Sequence, residues 1–510
     1  MSVISRHMLR AVSSSLDLPA GALDAVHFGS EGALPSYYAV TDLAAASIGA
    51  AALALRQLII AQGGEPAPVA VDRRLASLWF GWSVHPIGWE RPPLWDAVAG
   101  DYATADGWIR LHTNAIHHRD AALAVLGCAV DRDAVARAVA GWRGEELEAA
   151  VVGNNGCAAV MRSAAGWQAH LQGVTVAAEP LIAFDTRLLE TAASVQWVAA
   201  PPDRDDASAL SAAAQRGQRA ASGWPGAVGG VSPARPLAGL KVLDLTRVLA
   251  GPVATRFLAG YGADVLRIDP PSWNEPGAIP EVTLGKRCAR LDLHQPADRA
   301  IFEALLAQAD VLVHGYRPAA LERLGYGEQF RRVLNPALID VSLDAYGWTG
   351  PLAGRRGFDS LVQMSCGIAE HGMRMQGAGK PVPLPVQALD HATGYLMAAA
   401  VLRGLLFRVT ENRAMQARLS LARTAKLLMD ASSGWLGTAF THGSGAGFAP
   451  SGGEALAPVG EADFSPAVEH TEWGPARRLL PPVTVGGARM AWDRPAASLG
   501  SSPPRFGDTV

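Results

Sequence analysis

The sequence has few cysteines, and their spacing excludes two kinds of small protein module. Only four occur in 510 residues, and they lie far apart. Neither a zinc-binding cluster nor a disulfide framework fits such a distribution. We therefore expect a protein of a reducing compartment, the cytoplasm. The four are Cys128, Cys157, Cys288 and Cys366.

An excess of charge of one sign is also missing. The chain holds 44 Lys and Arg residues against 47 Asp and Glu, which gives a formal net charge of −3. A chain balanced in this way has no general positive field that would attract nucleic acid or an anionic membrane. We expect neither of them as a partner.

A long uninterrupted hydrophobic run is the third absence. The N-terminal segment carries an arginine and no continuous apolar core, so it does not resemble a secretory signal. The most apolar stretch, residues 43–60, is rich in alanine and includes Arg56 and Gln57. This composition predicts a buried helix rather than a membrane span.

The length predicts several domains, and one segment looks like a linker between them. At roughly 100–200 residues per domain, the chain has room for two to four. Residues 201–235 are rich in Pro, Gly, Ala and Ser without a sustained apolar period, which is typical of a linker. We predict a partial large-domain-like segment at 1–100, a small domain at 101–200, the linker at 201–235, a large domain at 236–425 and a C-terminal return segment at 426–510.

The two sides of the linker differ in pattern. After it, apolar β-branched strands alternate with helices, which predicts a parallel, doubly wound α/β sheet with ligands beyond the carboxyl ends of its strands. Before the linker, no such unit is found. In the part after the linker, strands are predicted at 240–246, 263–268, 311–313 and 338–343, with helices at 253–259 and 299–308. The N-terminal part has predicted helices at 44–62, 132–142 and 147–152, and a turn leading into a strand at 105–112.

A partial internal repeat links the two parts. An offset of 348 positions aligns Asp42 with Asp390 without gaps, and it also aligns an alanine-rich helix with a second one. The same offset places residues 69–73 on 417–421, each an alternating strand that follows a helix. Because one offset serves loop, helix and strand, we interpret the alignment as a repeat.

Several motifs after the linker occur in a specific order. They read LAGLKVLDLTRVLAGP from residue 237, YGADVLRIDPP from 261, DVLVHGYRP from 310 and LDHATG from 389. As a set they closely resemble the family III CoA-transferases, over about residues 236–425. The resemblance implies an α/β fold, with a Rossmann-like parallel-sheet large domain and a smaller α+β domain.

The N-terminal part also resembles this family, but its later portion. Residues 104–109 are similar to the start of the family's small domain, which normally follows the nucleotide-binding half. The resemblance therefore implies a fused and rearranged chain. The family forms interlocked dimers, with active sites between one large domain and the partner's small domain. This chain could be a homodimer or a self-contained pseudo-dimer.

The resemblance implies a catalytic carboxylate at Asp390. In the family, an Asp at this point attacks an acyl-CoA thioester and CoA is then transferred through an aspartyl-CoA thioester. Residues alone leave another interpretation open, in which Asp390 caps the helix that follows it and accepts the amides of Ala392 or Thr393. Asp42 is the competing carboxylate, and its helix lacks the glycine that follows Asp390.

The resemblance also implies a set of CoA-binding residues. Phosphates require cations or helix N-termini, and Arg317 and the pair Lys286–Arg287 are further candidates. No metal and no cofactor beyond CoA itself is expected. The positions carried over are Arg247, Leu249, Ala250, Leu291, His294, Gly315, Tyr316, Arg323 and Arg356.

The implied activity is the transfer of CoA from an acyl-CoA to a carboxylic acid. Two departures narrow it: Leu249 replaces a glutamine of the formyl-CoA branch, and Phe358 replaces a histidine of the racemase branch. Phenylalanine cannot exchange protons, which argues against racemisation. An acyl-CoA isomerase or racemase of the same family, and a non-catalytic CoA-binding scaffold, remain the alternatives.

Overall fold

The computed structural model describes residues 3–189, 234–439 and 454–507. The predicted linker at 201–235 lies outside the described residues, apart from its last two positions. The N-terminal segment combines three helices with three short strands, of which β1 and β2 pair in parallel. These elements are α1 (Val3–Ser15), β1 (Val26–Gly29), α2 (Val40–Ala61), β2 (Val69–Asp72), α3 (Arg73–Trp79) and β3 (Val84–Pro86).

A small domain follows, built on an antiparallel sheet of three strands in the order β4-β5-β6. Its helices cover this sheet through a separate apolar core that includes Tyr102, Ile109 and Leu147. The elements are β4 (Gly100–Ala103), β5 (Trp108–Leu111), α4 (Ile116–Leu126), α5 (Arg132–Val139), α6 (Gly144–Gly153) and β6 (Ala158–Val160). Next along the chain are α7 (Ala164–Ala169), α8 (Leu171–Ala178) and β7 (Ala183–Leu188).

The large domain contains the four strands predicted after the linker, the strand that the repeat predicted at 417–421, and one strand that was not predicted, β10. In chain order the strands are β8 (Lys241–Leu245), β9 (Asp264–Asp269), β10 (Lys286–Arg290), β11 (Val311–His314), β12 (Ile339–Asp344) and β13 (Arg413–Ser420). The helices between them are α9 (Ala250–Gly260), α10 (Ile279–Val282), α11 (Pro296–Gln308), α12 (Ala320–Arg323), α13 (Glu328–Leu334), α14 (Asp359–Ser365), α15 (Ile368–Gln376) and α16 (Ala388–Glu411), and α17 (Leu421–Ala439) follows β13.

These strands form one sheet of seven, in the order β10-β9-β8-β11-β12-β13-β7. All neighbours are parallel except β7, which pairs antiparallel with β13 and comes from before the linker. The order reverses between β8 and β11, which is the switch point at which doubly wound sheets bind ligands. The predicted Rossmann-like α/β sheet is therefore confirmed.

The C-terminal segment returns to the N-terminal strands. It contains β14 (Phe464–Thr471), β15 (Gly474–Leu479) and β16 (Val483–Val485). β15 pairs with β3, and β16 pairs antiparallel with β2. The two ends of the chain thus complete each other's sheets.

Helices α2 and α16 pack against each other at the centre of the protein. Each is long and apolar enough to cross a membrane by length and composition. However, 83% of the most apolar window of α2 and 89% of that of α16 are buried inside the protein. Their apolar character is therefore that of core helices, as predicted for residues 43–60.

Candidate functional site

Two cavities meet at Asp390, between the large domain and the N-terminal part of the chain. The first, of about 380 Å³, is lined by several arginines, and we call it the cationic cavity. The second, of about 480 Å³, is lined by aromatic side chains, and we call it the aromatic cavity. The residues common to both are Val248, Leu249, Trp273, Phe358 and Asp390.

Asp390 lies in the first turn of α16, and it does not cap that helix. One carboxylate oxygen of Asp359 accepts the backbone N–H groups of Leu389, at 2.8 Å, and of Asp390, at 3.0 Å. The carboxyl group of Asp390 itself accepts no hydrogen bond from the residues that the structure describes. The capping interpretation of Asp390 is therefore wrong, because α16 begins two residues earlier, at Ala388, and Asp359 rather than Asp390 accepts amides of its first turn.

The environment of Asp390 raises its pKa well above the ordinary range of an aspartate. Burial is the larger cause, and the nearby carboxyl of Asp359 is the second. Burial also raises the pKa of Asp359, to about 6. A desolvated carboxyl with a perturbed pKa, at the junction of two cavities, is typical of a reactive group rather than a structural one.

Gly394 brings Asp390 close to the loop after β8. A Cβ atom at Gly394 would lie 2.3 Å from the carbonyl oxygen of Ala250 and 2.8 Å from Cβ of Val253. Any other residue would push α16 away from α9. Glycine therefore allows the first turn of α16 to approach the N-terminus of α9, where backbone N–H groups are available for an anion.

The cationic cavity takes its positive charge from Arg247, Arg317 and Arg356. None of the three forms an ion pair with a carboxylate in the described ranges 3–189, 234–439 and 454–507. Arg247 donates to the Tyr316 hydroxyl at 3.0 Å, and its guanidinium lies 4.8 Å from the centre of the Trp273 ring. Burial lowers the pKa of Arg317, and the nearby cations Arg356 and Arg323 lower it further. Such a cluster of uncompensated cations favours a polyanionic ligand.

The loop after β8 is strained at the point where the cavities join. Val248 has a φ of 65°, which is a costly conformation for a β-branched residue. Its N–H donates to a carboxylate oxygen of Glu275 at 2.8 Å, and the other oxygen of Glu275 pairs with Arg267 at 2.6 Å. Arg267 is itself fully buried beside Asp269. This network holds the loop in place, and nothing in the local sequence pattern predicted it.

Asp42 has a different environment, although it is also buried. Its oxygen Oδ1 accepts from Ser5 Oγ at 2.5 Å and pairs with Arg73 at 3.1 Å. Asp42 lines neither of the two cavities. The geometry therefore does not support Asp42 as the catalytic carboxylate.

The structure brings together most of the predicted CoA-binding residues. Arg247, Leu249, Ala250, Gly315, Tyr316 and Arg356 all line the cationic cavity, together with Arg317. Leu291, His294 and Arg323 do not line it. Leu291 is buried in an apolar cluster, whereas His294 and Arg323 are exposed. The binding roles of all these residues stay predictions.

Lys286 is not available to a ligand. Its ammonium group is fully buried, 3.0 Å from a carboxylate oxygen of Asp244 and 3.0 Å from the carbonyl oxygen of Pro252. Its neighbour Arg287 pairs with Asp264. Both cations are therefore engaged within the large domain, Lys286 with β8 and α9 and Arg287 with β9.

The N-terminal part contributes a wall that sequence reasoning missed. Phe80, Trp82, Trp95 and His112 line the aromatic cavity, opposite residues of the large domain. His112 stacks on Phe358 with ring centres 3.7 Å apart. These residues are hundreds of positions from Asp390 in the chain, so only the fold reveals that they share its site.

Comparison with known proteins identifies the region that carries the site. Residues 237–456 match the model of CoA-transferase family III. An acetyl-coenzyme A transferase of Hypoxylon pulicicidum is 36% identical over 195 residues, which are 37% of this chain and 33% of that protein. A probable fatty acyl-CoA transferase of Mycobacterium tuberculosis is 36% identical over 191 residues, 35% of this chain and 48% of that protein. A succinyl-CoA:glutarate CoA-transferase of Mus musculus is 34% identical over 189 residues, 34% of this chain and 42% of that protein.

The fold and the site define an α/β protein with a buried carboxyl group beside a cluster of arginines at the switch point of its sheet. Residues 237–456, less than half of the chain, are similar to CoA-transferase family III. The matched segments cover between 33% and 48% of the first relatives' own length.

Proposed function

We propose that this protein transfers CoA from an acyl-CoA to a carboxylic acid, with Asp390 as the nucleophile. The observation that carries the proposal is the position of Asp390, whose unpaired carboxyl lies where the cationic and aromatic cavities meet. A thioester that joins a polyanionic cofactor to an acyl group has its reacting carbon at such a junction. The matched relatives bear names of CoA-transferases, which supports the same activity.

The cationic cavity would bind the CoA moiety. Arg247, Arg317 and Arg356 would hold its phosphates, because their guanidinium groups have no carboxylate partner among the described residues. The N-terminus of α9 adds backbone donors from the loop after β8. CoA is then part of the substrate, and the proposed transfer requires no other cofactor.

The first half of the reaction would place CoA on the protein. The Asp390 carboxylate attacks the thioester carbon, and an aspartyl–acyl anhydride forms as the C–S bond breaks and CoA leaves as the thiolate. The thiolate then attacks the aspartyl carbonyl, which releases the acyl group as a free carboxylate and leaves an aspartyl-CoA thioester.

The second half repeats these steps with the acceptor acid. Its carboxylate attacks the aspartyl-CoA thioester and expels the thiolate, which forms a second anhydride. The thiolate attacks the acceptor carbonyl, so the new acyl-CoA leaves and Asp390 is regenerated. Each step exchanges one carboxylate or thiolate for another, and no net proton is consumed.

Phe358 favours transfer over racemisation. It lies in the wall shared by the two cavities, next to Asp390, and its ring cannot donate or accept a proton. An intramolecular transfer of CoA within one diacid would use the same steps. Incubation with a single labelled acyl-CoA, without a second acid, separates that reaction from intermolecular transfer.

The experiment that tests the proposal compares two aspartates at equivalent helix positions. Exchange of labelled carboxylic acid into acyl-CoA is measured for the wild type, Asp390→Asn and Asp42→Asn. We expect Asp390→Asn to lower the exchange rate at least ~10³-fold, because the amide cannot form the anhydride. Asp42→Asn should retain exchange within about threefold. Equal activity of wild type and Asp390→Asn, or no exchange by the wild type across a broad acyl-CoA panel, would contradict the proposal, and the latter would favour a non-catalytic scaffold.

A further inference from the structure

The aromatic cavity has an apolar wall on the side away from the arginines. Its volume of about 480 Å³ lies in the range of pockets that enclose a small organic ligand. Most of the wall comes from the N-terminal part and from the loop before α16. The apolar side chains include Phe80, Trp82, Leu94, Trp95, Pro385 and Val386.

No lysine or arginine lines this cavity in the part of the chain that the structure describes. Its charged lining residues besides Asp390 are two carboxylates, Asp96 and Glu275. Asp96 accepts from Thr113 at 2.8 Å and pairs with Arg119 at 3.3 Å, and both oxygens of Glu275 are engaged by Val248 and Arg267. Both are anionic acceptors, so neither could stabilise a further negative charge in the cavity.

The two imidazoles of the lining are buried as well. Burial lowers the pKa of His112 well below the ordinary range and that of His391 to about 3. Both are therefore neutral at physiological pH. A second carboxylate on an acyl group would enter this cavity without a lysine or arginine among the lining residues to compensate its lost hydration.

We propose that the aromatic cavity selects apolar monocarboxylic acyl groups, aliphatic or aromatic and of medium length, and discriminates against dicarboxylic and very short acyl groups. The proposal rests on the proposed function, since it assigns the aromatic cavity to the acyl group of the thioester held at Asp390. Apolar length is favoured because each buried methylene removes hydrocarbon from water.

Trp95 lies at the rim of the cavity, where the end of a longer acyl chain would pass. Its side chain is 38% exposed, and the exposed Leu94 stands beside it. The Arg110 guanidinium lies over the Trp95 ring at 4.8 Å, and that cation also pairs with Asp101 at 2.7 Å. The indole is thus held in place although it is partly open to solvent, as expected of a contact surface for a ligand.

The test measures binding separately from chemistry. Dissociation constants of CoA, acetyl-CoA, butyryl-CoA, octanoyl-CoA, phenylacetyl-CoA and succinyl-CoA are determined by calorimetry with Asp390→Asn, which cannot react. We expect octanoyl-CoA to bind at least ~100-fold more tightly than acetyl-CoA, and butyryl-CoA at least ~10-fold more tightly than succinyl-CoA. Equal binding of all thioesters, or tighter binding of succinyl-CoA, would overturn the proposal.

Two variants place the effect in the aromatic cavity. Trp95→Ala should weaken octanoyl-CoA binding ~10-fold and leave the binding of free CoA unchanged. Phe330→Ala is the matched control, since Phe330 is also 38% exposed and lies on α13, outside both cavities. If both variants weaken octanoyl-CoA binding equally, the cavity is not the acyl site.

A parallel measurement with the wild type distinguishes this proposal from the proposed function. Exchange rates for octanoyl-CoA and succinyl-CoA should follow the same preference as their binding. Tight, selective binding of octanoyl-CoA without any exchange would refute CoA transfer and retain the binding site. Exchange that is fastest with succinyl-CoA would retain the transfer and refute the selectivity.

Discussion

Helices α2 and α16 are two versions of one structural unit, and the aspartates in their first turns have different surroundings. In both, the first turn is preceded by the same short contact, an N–H donating to the carbonyl two residues earlier at 2.8 Å, from Val40 to Tyr38 and from Ala388 to Val386. The 348-residue offset maps the start of one helix onto the start of the other and places Asp42 on Asp390. The backbone alone therefore does not distinguish the two carboxylates.

The difference lies in what faces each carboxylate. Arg73, at the start of α3, pairs with Asp42, and the equivalent position at the start of α17 is Leu421. Ser5 completes the neutral environment of Asp42. Leu421 instead lines the cationic cavity, and Asp390 is left without a cation. The ion pair holds Asp42 in the fold, whereas Asp390 has no such partner among the described residues and lines the cavity.

The strongest test of this comparison places an arginine beside Asp390. We expect Leu421→Arg to pair with Asp390, as Arg73 does with Asp42, and to lower CoA exchange ~100-fold because the paired carboxylate is a weaker nucleophile and the cavity is partly filled. Exchange of labelled acid into acyl-CoA measures the effect, and Leu421→Met is the control that keeps the volume without charge. Full activity of Leu421→Arg in a folded protein would show that pairing does not separate the two copies.

The reverse change removes the cation that pairs with Asp42. Arg73→Leu breaks the ion pair of a buried carboxylate, so we expect the free energy of unfolding to fall by about 2 kcal/mol, without any gain of activity at Asp42. Urea denaturation measures the loss. In the double variant Arg73→Leu/Asp42→Asn most of the stability should return, because the buried negative charge is removed together with its cation. A stable single variant would mean that the ion pair is not structural.

Replacing the carboxyl group of Asp390 is expected to have a smaller effect, on the free energy of unfolding. Because the folded protein raises the pKa of Asp390 and Asp359, it binds protons more tightly than the unfolded chain, and this stability is lost as the pH rises from the unfolded pKa through the raised ones. Asp390→Asn should therefore increase the free energy of unfolding by about 1–2 kcal/mol at pH 7 and by less at pH 4. Denaturation at both pH values checks it, and a destabilised variant at pH 7 would contradict the raised pKa.

The smallest effect concerns the pH profile of adduct formation. Only the ionised Asp390 can attack, so the rate should fall as the pH decreases through its raised pKa. Asp359→Asn removes a neighbouring charge and should move this acid limb to lower pH by roughly half to one unit. Stopped-flow release of CoA thiol measures the limb, and Glu65→Gln, an exposed carboxylate outside both cavities, should leave it in place. A shift to higher pH would contradict the role of Asp359.

Much of the large domain could be predicted because its information is local. Strands such as β8 and β11 are short apolar runs bounded by clear breaks, and Asp390 followed by Gly394 stands in a specific motif. The repeat could be found because one offset serves helix and strand. Arg73 could have been noticed in the same way, since it stands where the other copy has a leucine.

The remaining features depend on contacts between distant residues. The capping acceptor Asp359 is 31 residues from Asp390, and Glu275 is 27 residues from Val248, whose positive φ has no signature in composition. Lys286 was a candidate for phosphate binding because a sequence does not show that Asp244 compensates it in the core. The walls of the aromatic cavity come from both sides of the linker, and only the folded chain brings them together.

The most direct measurement of the central claim is the number and position of covalent adducts on the chain. The wild type is incubated with acyl-CoA, trapped with hydroxylamine and digested, and the modified peptides are located by mass spectrometry. We predict one hydroxamate per chain, at Asp390, and none at Asp42. A modified Asp42, or a fully active protein with no adduct at Asp390, would contradict the account.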